Sequence, residues 1–414
     1  MTVSGAAAAV DEARLWQRHM TLAEIGATAK GGVDRQALSE EEARARALLA
    51  EWAGELGYRV SVDGISNLFI RREGADPALA PVLTGSHIDS QPTGGKFDGA
   101  FGVLAGLEAL QALDEAGIET ARPVEVVAWL NEEGSRFAPG MMGSEAFARL
   151  RPLDEILAVA DRGGTSVADE LPRALAATPH AERRDIGFPV AAFVEAHIEQ
   201  GPALERAGKP IGVVTGIQGV RRMRVRVTGE ESHAGTTPKS ARRDALWEAA
   251  RMIDALQRNM HRDEEHRFTV GMMEIRPNVP SVVASEVLFS IDIRHPDSDT
   301  LARLEAGVPA ICRGASLDCE FETWTIAEAS SIWFDDGVVD TIEAAANDLG
   351  LGNMRLFSGA GHDARQLSRV CPTGMIFVPC EKGISHNEAE NATPSDLADG
   401  ARVLAETLVR LAMG

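Results

Sequence analysis

The stretch that most constrains this chain is Gly85-Ser-His-Ile-Asp-Ser-Gln-Pro-Thr-Gly-Gly-Lys-Phe-Asp98-Gly99. It follows the apolar Pro81-Val82-Leu83 and precedes a helical run, so His87 and Asp89 fall where a strand runs out into a loop. That is the usual seat of function in an open α/β sheet. Asp98 comes eleven residues after His87, behind Gly94-Gly95, and so flexible a loop can fold the carboxylate back beside the imidazole. A neutral imidazole and a carboxylate brought together suit a divalent metal of the zinc type.

Three further segments repeat the pattern. Asn131-Glu132-Glu133-Gly134-Ser135-Arg136-Phe137 follows the apolar run Val124 to Leu130, Phe193 to Pro202 carries His197, and Gly383-Ile384-Ser385-His386-Asn387 carries a third histidine. Short apolar runs alternate with helical patterns, which predicts an α/β fold with a mostly parallel sheet covered by helices. Ser39-Glu40-Glu41-Glu42 reads as a capping box opening a helix that ends near Gly57, and Tyr58 to Ile70 as a hairpin turning at Asp63-Gly64. Phe101 to Ala116 is the helix after the metal loop. Over residues 151–190, Gly163-Gly164 and Pro172 break any longer element.

From about residue 213 the pattern changes. Met223, Val225 and Val227 alternate with arginines as a half-exposed strand, and Leu246, Ala249, Ala250, Ile253 and Leu256 mark one helical face. Phe268 to Ile275, Glu286 to Arg294 and Asp318 to Thr325 read as strands and Leu301 to Cys312 as a helix, in the order βαββαβ of the split-βαβ (ferredoxin-like) module. Two domains are expected for 414 residues: 1–212 with 329–414 as one, and 213–328 inserted into it. A final helix starts at Thr393-Pro394, with threonine as N-cap.

The formal charge of -21 argues against nucleic acid or an anionic membrane as partner. Cys312, Cys319, Cys371 and Cys380 have no CxxC spacing and read as buried small hydrophobes in a reducing compartment. The N-terminus lacks a basic n-region and no apolar run reaches the roughly 20 residues of a membrane span, so the expected location is cytoplasmic.

Six motifs in order, Gly-Ser-His-x-Asp-Ser-x-Pro-x-Gly-Gly-Lys-Phe-Asp-Gly, Asn-Glu-Glu-Gly-x-Arg-Phe, His-Ile-Glu-Gln-Gly, Ser-His-Ala-Gly-Thr-Thr-Pro, Gly-Ala-Gly-His-Asp-Ala and Gly-Ile-Ser-His-Asn, run through the chain. They resemble the hydantoinase/carbamoylase branch of the di-metal aminoacylase/carboxypeptidase superfamily, from about residue 12 to the C-terminus. The branch contains N-carbamoyl-L-amino acid hydrolases, β-ureidopropionases and allantoate amidohydrolases. The resemblance implies a phosphorylase/hydrolase-like catalytic domain and an inserted lid that also forms a homodimer. It also implies hydrolysis of the ureido carbon–nitrogen bond of an N-carbamoyl amino acid, with allantoate or a β-ureido acid as alternative substrates. Gln91-Pro92 and Lys96-Phe97 look more like the carbamoylase and ureidopropionase members than the allantoate ones. An aminoacylase, an aminopeptidase or a non-catalytic binding homologue are the readings outside the branch.

Two divalent ions about 3.5–4 Å apart can share one carboxylate and polarise a carbonyl, and such a site needs a further free carboxylate as base. The resemblance implies Asp98 as the bridge, His87 and His197 on one ion, Glu133 and His386 on the other, and Glu132 as the base. Zinc is the expected metal, and His/Asp/Glu sites also accept manganese, cobalt or nickel. Asp89 reads as the group that orients His87 through its other ring nitrogen. By resemblance, His233 reaches the active site of the partner subunit and stabilises the oxyanion; Gln200, Asn278 and Arg294 clamp a substrate carboxylate; and the Gly361-His362 loop lies at the substrate. On sequence logic alone His233 and His362 are loop residues and Arg294 a salt-bridged surface arginine. His19, His180, His261, His266 and His295, outside every motif, read as surface residues.

Overall fold

The structure, a computed structural model, describes residues 3–262 and 265–414. The described chain divides into two compact units, one running to Thr215 and resuming at Phe334, the other covering Gly216–Trp333.

At the centre of the first unit lie four parallel strands in the order Thr373–Val378, Ala192–Ile198, Val82–His87, Val124–Trp129. Every residue of the four is buried, as expected where both faces of a parallel sheet are covered. The flanks are antiparallel: Leu68–Arg72 pairs with Val124–Trp129, and Ile211–Ile217 with Thr373–Val378. Helix Ala100–Glu115 packs on Val82–His87 and is buried along most of its length, Glu108 included. That buried carboxylate accepts from Arg14 at both oxygens, at 2.6 and 2.8 Å, which ties helix Glu12–Ala23 to it. Arg18 Nη1, at 3.4 Å, and the amide of Asp11, at 2.8 Å, share the same carboxylate, so the buried charge is well compensated. Among the described residues no helix is long and apolar enough to cross a membrane, and all four cysteines are buried and unpaired.

Three local expectations change. The chain reverses between Val62 and Leu68 over five residues, because Asp63 accepts from the amides of Ile65 and Asn67 and from the Asn67 side chain, making a wider loop than a two-residue turn. Ser39 caps helix Glu40–Glu55 through the Glu42 amide, but the Glu42 carboxylate turns to Leu38 N and Arg46, so no reciprocal box forms. Pro172 does not break the chain: helix Val167–Ala176 runs through it, held by a capping box between Ser166 and Asp169.

The second unit is a fully antiparallel sheet. Gly219–Thr228 is flanked by Glu286–His295 and Glu320–Ala329, and the expected strand over 268–275 is two short ones, Arg267–Thr269 and Met273–Arg276, both on Glu286–His295. Helices Ala245–Met260 and Ser298–Ala315 close the core over Val225, Val227, Phe289 and Ile291. The buried stripe of the first helix runs through Ala245, Ala249, Met252, Leu256 and Met260, leaving Leu246 and Ala250 exposed. Glu248 sets that rotation, since its carboxylate is drawn inward by the amides of Leu317, Asp318 and Cys319.

Two of the five histidines outside the motifs are not on the surface: His19 is 1% and His295 6% exposed. His19 packs against Phe97 and Phe101, and burial, with the charge of Arg35 added, pushes its pKa down to about 3. Below its ordinary value near 6.5 the unfolded chain takes up a proton that the folded chain refuses, so this residue costs stability as pH falls from about 6.5 towards 3. His19→Leu should therefore shrink the loss of unfolding free energy between pH 7 and pH 5 by about 2 kcal/mol, read from urea unfolding at both pH values. An unchanged difference would mean that His19 ionises freely in the folded chain.

Candidate metal centre

Strand Val82–His87 delivers His87 at its last residue, and the following loop returns Asp98 to it. His87 Nδ1 donates to the backbone carbonyl of Asp89 at 2.9 Å, which leaves Nε2 facing the site, 3.9 Å from Asp98 Oδ1. His197, from the neighbouring strand, has the same arrangement: Nδ1 meets the Ile198 carbonyl at 2.9 Å and Nε2 lies 3.2 Å from the same Asp98 Oδ1. Gly99 makes this approach possible. Its φ is +64°, and a Cβ there would lie 2.3–2.4 Å from His87 ring atoms.

Asp98 turns its other oxygen elsewhere. Oδ2 lies 3.4 Å from His386 Nε2, which is itself 3.3 Å from Glu133 Oε2. His87, Asp98 and His197 form one group able to hold a metal ion, and Asp98, Glu133 and His386 a second, with one carboxylate oxygen in each. A third such group, Glu195, His197 and His362, shares His197 with the first. Glu195 is already engaged, accepting from Ser86 Oγ at 2.6 Å and Ala364 N at 2.8 Å.

Glu132 and Glu133 follow strand Val124–Trp129 where Asn131 turns left-handed, at φ 52°. The Asp89 carboxylate accepts from both their amides at 3.2 Å. Asp89 therefore acts twice, its backbone carbonyl orienting His87 and its side chain fixing the glutamate pair, where the sequence had suggested only the first task. Glu132 Oε2 points at His87 Nε2 from 3.5 Å, and Glu133 Oε2 accepts from Gln91 Nε2 at 2.8 Å.

Gln200, at φ 56°, donates from Nε2 to Asp98 Oδ2 at 2.9 Å and to Ser385 Oγ at 3.1 Å. The opposite amide orientation would set an oxygen against a carboxylate oxygen, so the network selects this one. Both amide hydrogens are thus engaged on the metal side. His362 is buried, 2.9 Å from Ser358 Oγ and edge-on to His197, so it is no ordinary surface-loop histidine. A Cβ at Gly361 would meet Met141 Cε at 2.5 Å. Glu390, which the sequence reading missed, accepts from the amides of Phe97 and Asp98 and from Ser385 Oγ. Only an acidic residue four places after His386 marks it in the sequence.

The electrostatics fit a cation. Burial pushes Glu132 and Glu133 well above the usual carboxylate range, and neighbouring acids push them further: Asp363 and Glu133 for the first, Asp98 and Asp89 for the second. Burial also opposes ionisation of Asp98, but His197, His87 and His386 hold it below its usual value. His197 is raised to about 8 by Asp98 against the effect of burial, whereas burial takes His87 down to about 4. A divalent ion among these oxygen and imidazole donors would offset the repulsion between the acids, and the donor set is the one zinc-type ions take.

The remaining predicted residues lie in the second unit. Ser232–His233 pairs antiparallel with Val282–Val283, and His233 Nδ1 accepts from the amides of Gly235 at 3.0 Å and Thr236 at 3.1 Å. The neutral ring is thereby fixed with its proton on Nε2, and the residue is exposed. Asn278 is exposed and left-handed, at φ 57°. Arg294 shares the face of Ser290 and Asp292 and is ion-paired with Asp292 at 2.8 Å, with its side chain 31% exposed.

The chain is similar to known proteins along its whole length. The chain is 40% identical over 418 residues to an N-carbamoyl-L-amino-acid amidohydrolase of Rhizobium meliloti, covering 100% of this chain and 99% of that one. It is 35% identical to an allantoate amidohydrolase of Escherichia coli K12, covering 98% of both. A crystal structure of an amidase of the hydantoinase/carbamoylase family from Burkholderia multivorans superposes with a TM-score of 0.93 at 44% identity, covering 98% of each chain. The model of peptidase family M20/M25/M40 matches residues 83–410, and the chain belongs to that metal-dependent family.

Proposed function

We propose that this protein hydrolyses the ureido carbon–nitrogen bond of N-carbamoyl-L-amino acids, using two divalent ions, with zinc as the physiological metal. The observation that carries the reading is the division of Asp98, one oxygen towards His87 and His197 and the other towards His386 and Glu133. The relatives support the substrate class. The carbamoyl amino acid hydrolase of Geobacillus stearothermophilus is 40% identical over 98% of its length. Allantoate is the second candidate, favoured by the relatives that bear its name.

When bound, the ions would polarise the ureido carbonyl and make water more acidic. Glu132 takes the proton from the attacking water and returns it to the nitrogen that leaves, a task suited to a buried carboxyl whose proton affinity is raised. The products are the amino acid, ammonia and carbon dioxide. Arg294 and Asn278 hold the substrate carboxylate, Arg294 through its planar fork, and Gln200 joins them only by exchanging its bond to Asp98. Gly361 and His362 form the wall beside the substrate. His233, with Nε2–H outward, donates to the oxyanion in the partner subunit of a homodimer formed through residues 216–333, which also act as a lid.

Ammonia release should be fastest with N-carbamoyl-L-amino acids when these are compared with β-ureidopropionate, allantoate, N-acetyl amino acids and dipeptides. It should fall to background on chelation and return with zinc, manganese or cobalt. Carbamoyl amino acid amides, which lack the carboxylate, should be poor substrates. Full activity in metal-free protein, or faster turnover of allantoate or peptides, would overturn the reading.

The adjacent glutamates separate by symptom. Glu132→Gln should keep both ions while kcat falls by roughly 10²–10⁴. Glu133→Gln should weaken one ion and regain activity in excess metal. Exchanged symptoms, measured by metal analysis beside kinetics, would reverse the two roles.

Assembly can be tested with two inactive proteins. His233→Ala re-associated with Glu132→Ala should recover part of the activity, because some sites then combine two intact halves. No recovery in verified mixed dimers would place His233 outside the partner's site.

A further inference from the structure

Among the buried carboxylates behind the ligands that have no part in the reaction described above, Glu390 reaches Asp98 itself. Glu390 sits on the segment between His386 and helix Pro394–Met413, is 4% exposed, and reaches back beneath the Asp98 loop. Its Oε1 accepts from Phe97 N at 3.0 Å and Asp98 N at 3.1 Å. Its Oε2 accepts from Ser385 Oγ at 2.9 Å, and the same hydroxyl lies 3.1 Å from Asp98 Oδ2. Gln200 Nε2 donates into that hydroxyl, so the single serine hydrogen is shared between the two carboxylates. A Cβ at Gly95 would lie 2.0 Å from the Glu390 carboxyl carbon, so the loop comes this close only as glycine.

A glutamate that merely closes a loop could bond any amides. This one takes the amide of Asp98 itself, that of the residue before it, and the hydroxyl of the residue before His386. It thus couples the backbone and the outer oxygen of Asp98 to the segment carrying His386. Groups that orient ligands in this way commonly contribute as much to metal affinity as a weak ligand does.

We propose that Glu390 is a positioning residue of the metal centre: through the amides of Phe97 and Asp98 and the Ser385 hydroxyl it sets the pose in which Asp98 faces both ligand groups. The inference rests on the two-ion reading. Glu390→Gln keeps an oxygen for the two amides and offers an N–H to Ser385 Oγ, whose hydrogen is then left for Asp98. Glu390→Ala removes every bond.

The test is cobalt(II) titration of the full-length, metal-stripped protein, followed by its visible absorption, with zinc(II) measured in competition with a chromophoric chelator. Glu390→Ala should weaken the ion on the His386 side by about 10–100-fold, the range for lost ligand-orienting partners, and Ser385→Ala should weaken the same ion. Glu390→Gln should stay within about threefold of the parent, well inside that range. A folded Glu390→Ala protein that binds both ions like the parent would overturn the proposal. Should that variant not fold, unchanged affinity in Ser385→Ala would do the same. If the parent bound no divalent ion, both this proposal and the two-ion reading would fall. If it bound two ions and hydrolysed no carbamoyl amino acid, only the substrate reading would fall.

Discussion

The centre depends on one carboxylate being held so that its two oxygens look in different directions. Asp98 Oδ1 meets the imidazoles of His87 and His197, which come from adjacent parallel strands, while Oδ2 meets His386 from a loop near the C-terminus. Rotating that carboxylate would empty one group or the other. Nearly everything around it opposes rotation: Gln200 and Ser385 donate to Oδ2, and Glu390 holds the amide at its own residue. Fixing these groups before a ligand arrives leaves little ordering to be done on binding, which is the general route by which rigid supports raise affinity.

The acid content of the site sets its second constraint. Glu132, Asp89, Asp98, Glu195, Asp363 and Glu390 are all buried in the first unit, and no core of this size tolerates so many neighbouring anions without compensation. Some of it is local. Asp89 accepts two amides, Glu195 an amide and a hydroxyl, and Asp363 the hydroxyl of Ser144 at 2.5 Å. Among the described residues Glu132 has no comparable set of donors, and burial pushes it, like its neighbour Glu133, well above the usual carboxylate range. Carboxyls pushed upward by burial and by neighbouring acids are the environment in which a group can accept and return a proton near neutral pH.

The second unit follows different rules. Its sheet is antiparallel and buries one face, so its strands alternate, as the burial of Glu286–His295 shows residue by residue. The residues proposed to act from this unit, His233, Asn278 and Arg294, sit on exposed or half-exposed positions, and the structure adds one detail that composition cannot contain. Two amides donated to His233 Nδ1 fix the tautomer and leave an N–H on the outward nitrogen.

By itself the sequence determined the layout: a mostly parallel α/β sheet interrupted by a βαββαβ module, with histidines and paired acids at the strand ends. Period and placement fix these, because apolar runs that are buried on both faces read continuously and those buried on one face alternate. The motifs likewise marked His87, Asp98, Glu133, His197 and His386, which the fold brings together. Tertiary structure alone decided the supports. Pro172 stayed inside a helix, Glu42 left Ser39 for Leu38 and Arg46, and the helix face of Ala245–Met260 turned to suit Glu248. His19 went into the core, and Glu390 closed on Asp98 from 292 positions away in the chain. For Glu42, Glu248 and Glu390 the physical reason is the same. A polar side chain's partner is chosen by what folding sets beside it, and hydrogen bonds carry no periodicity along the sequence.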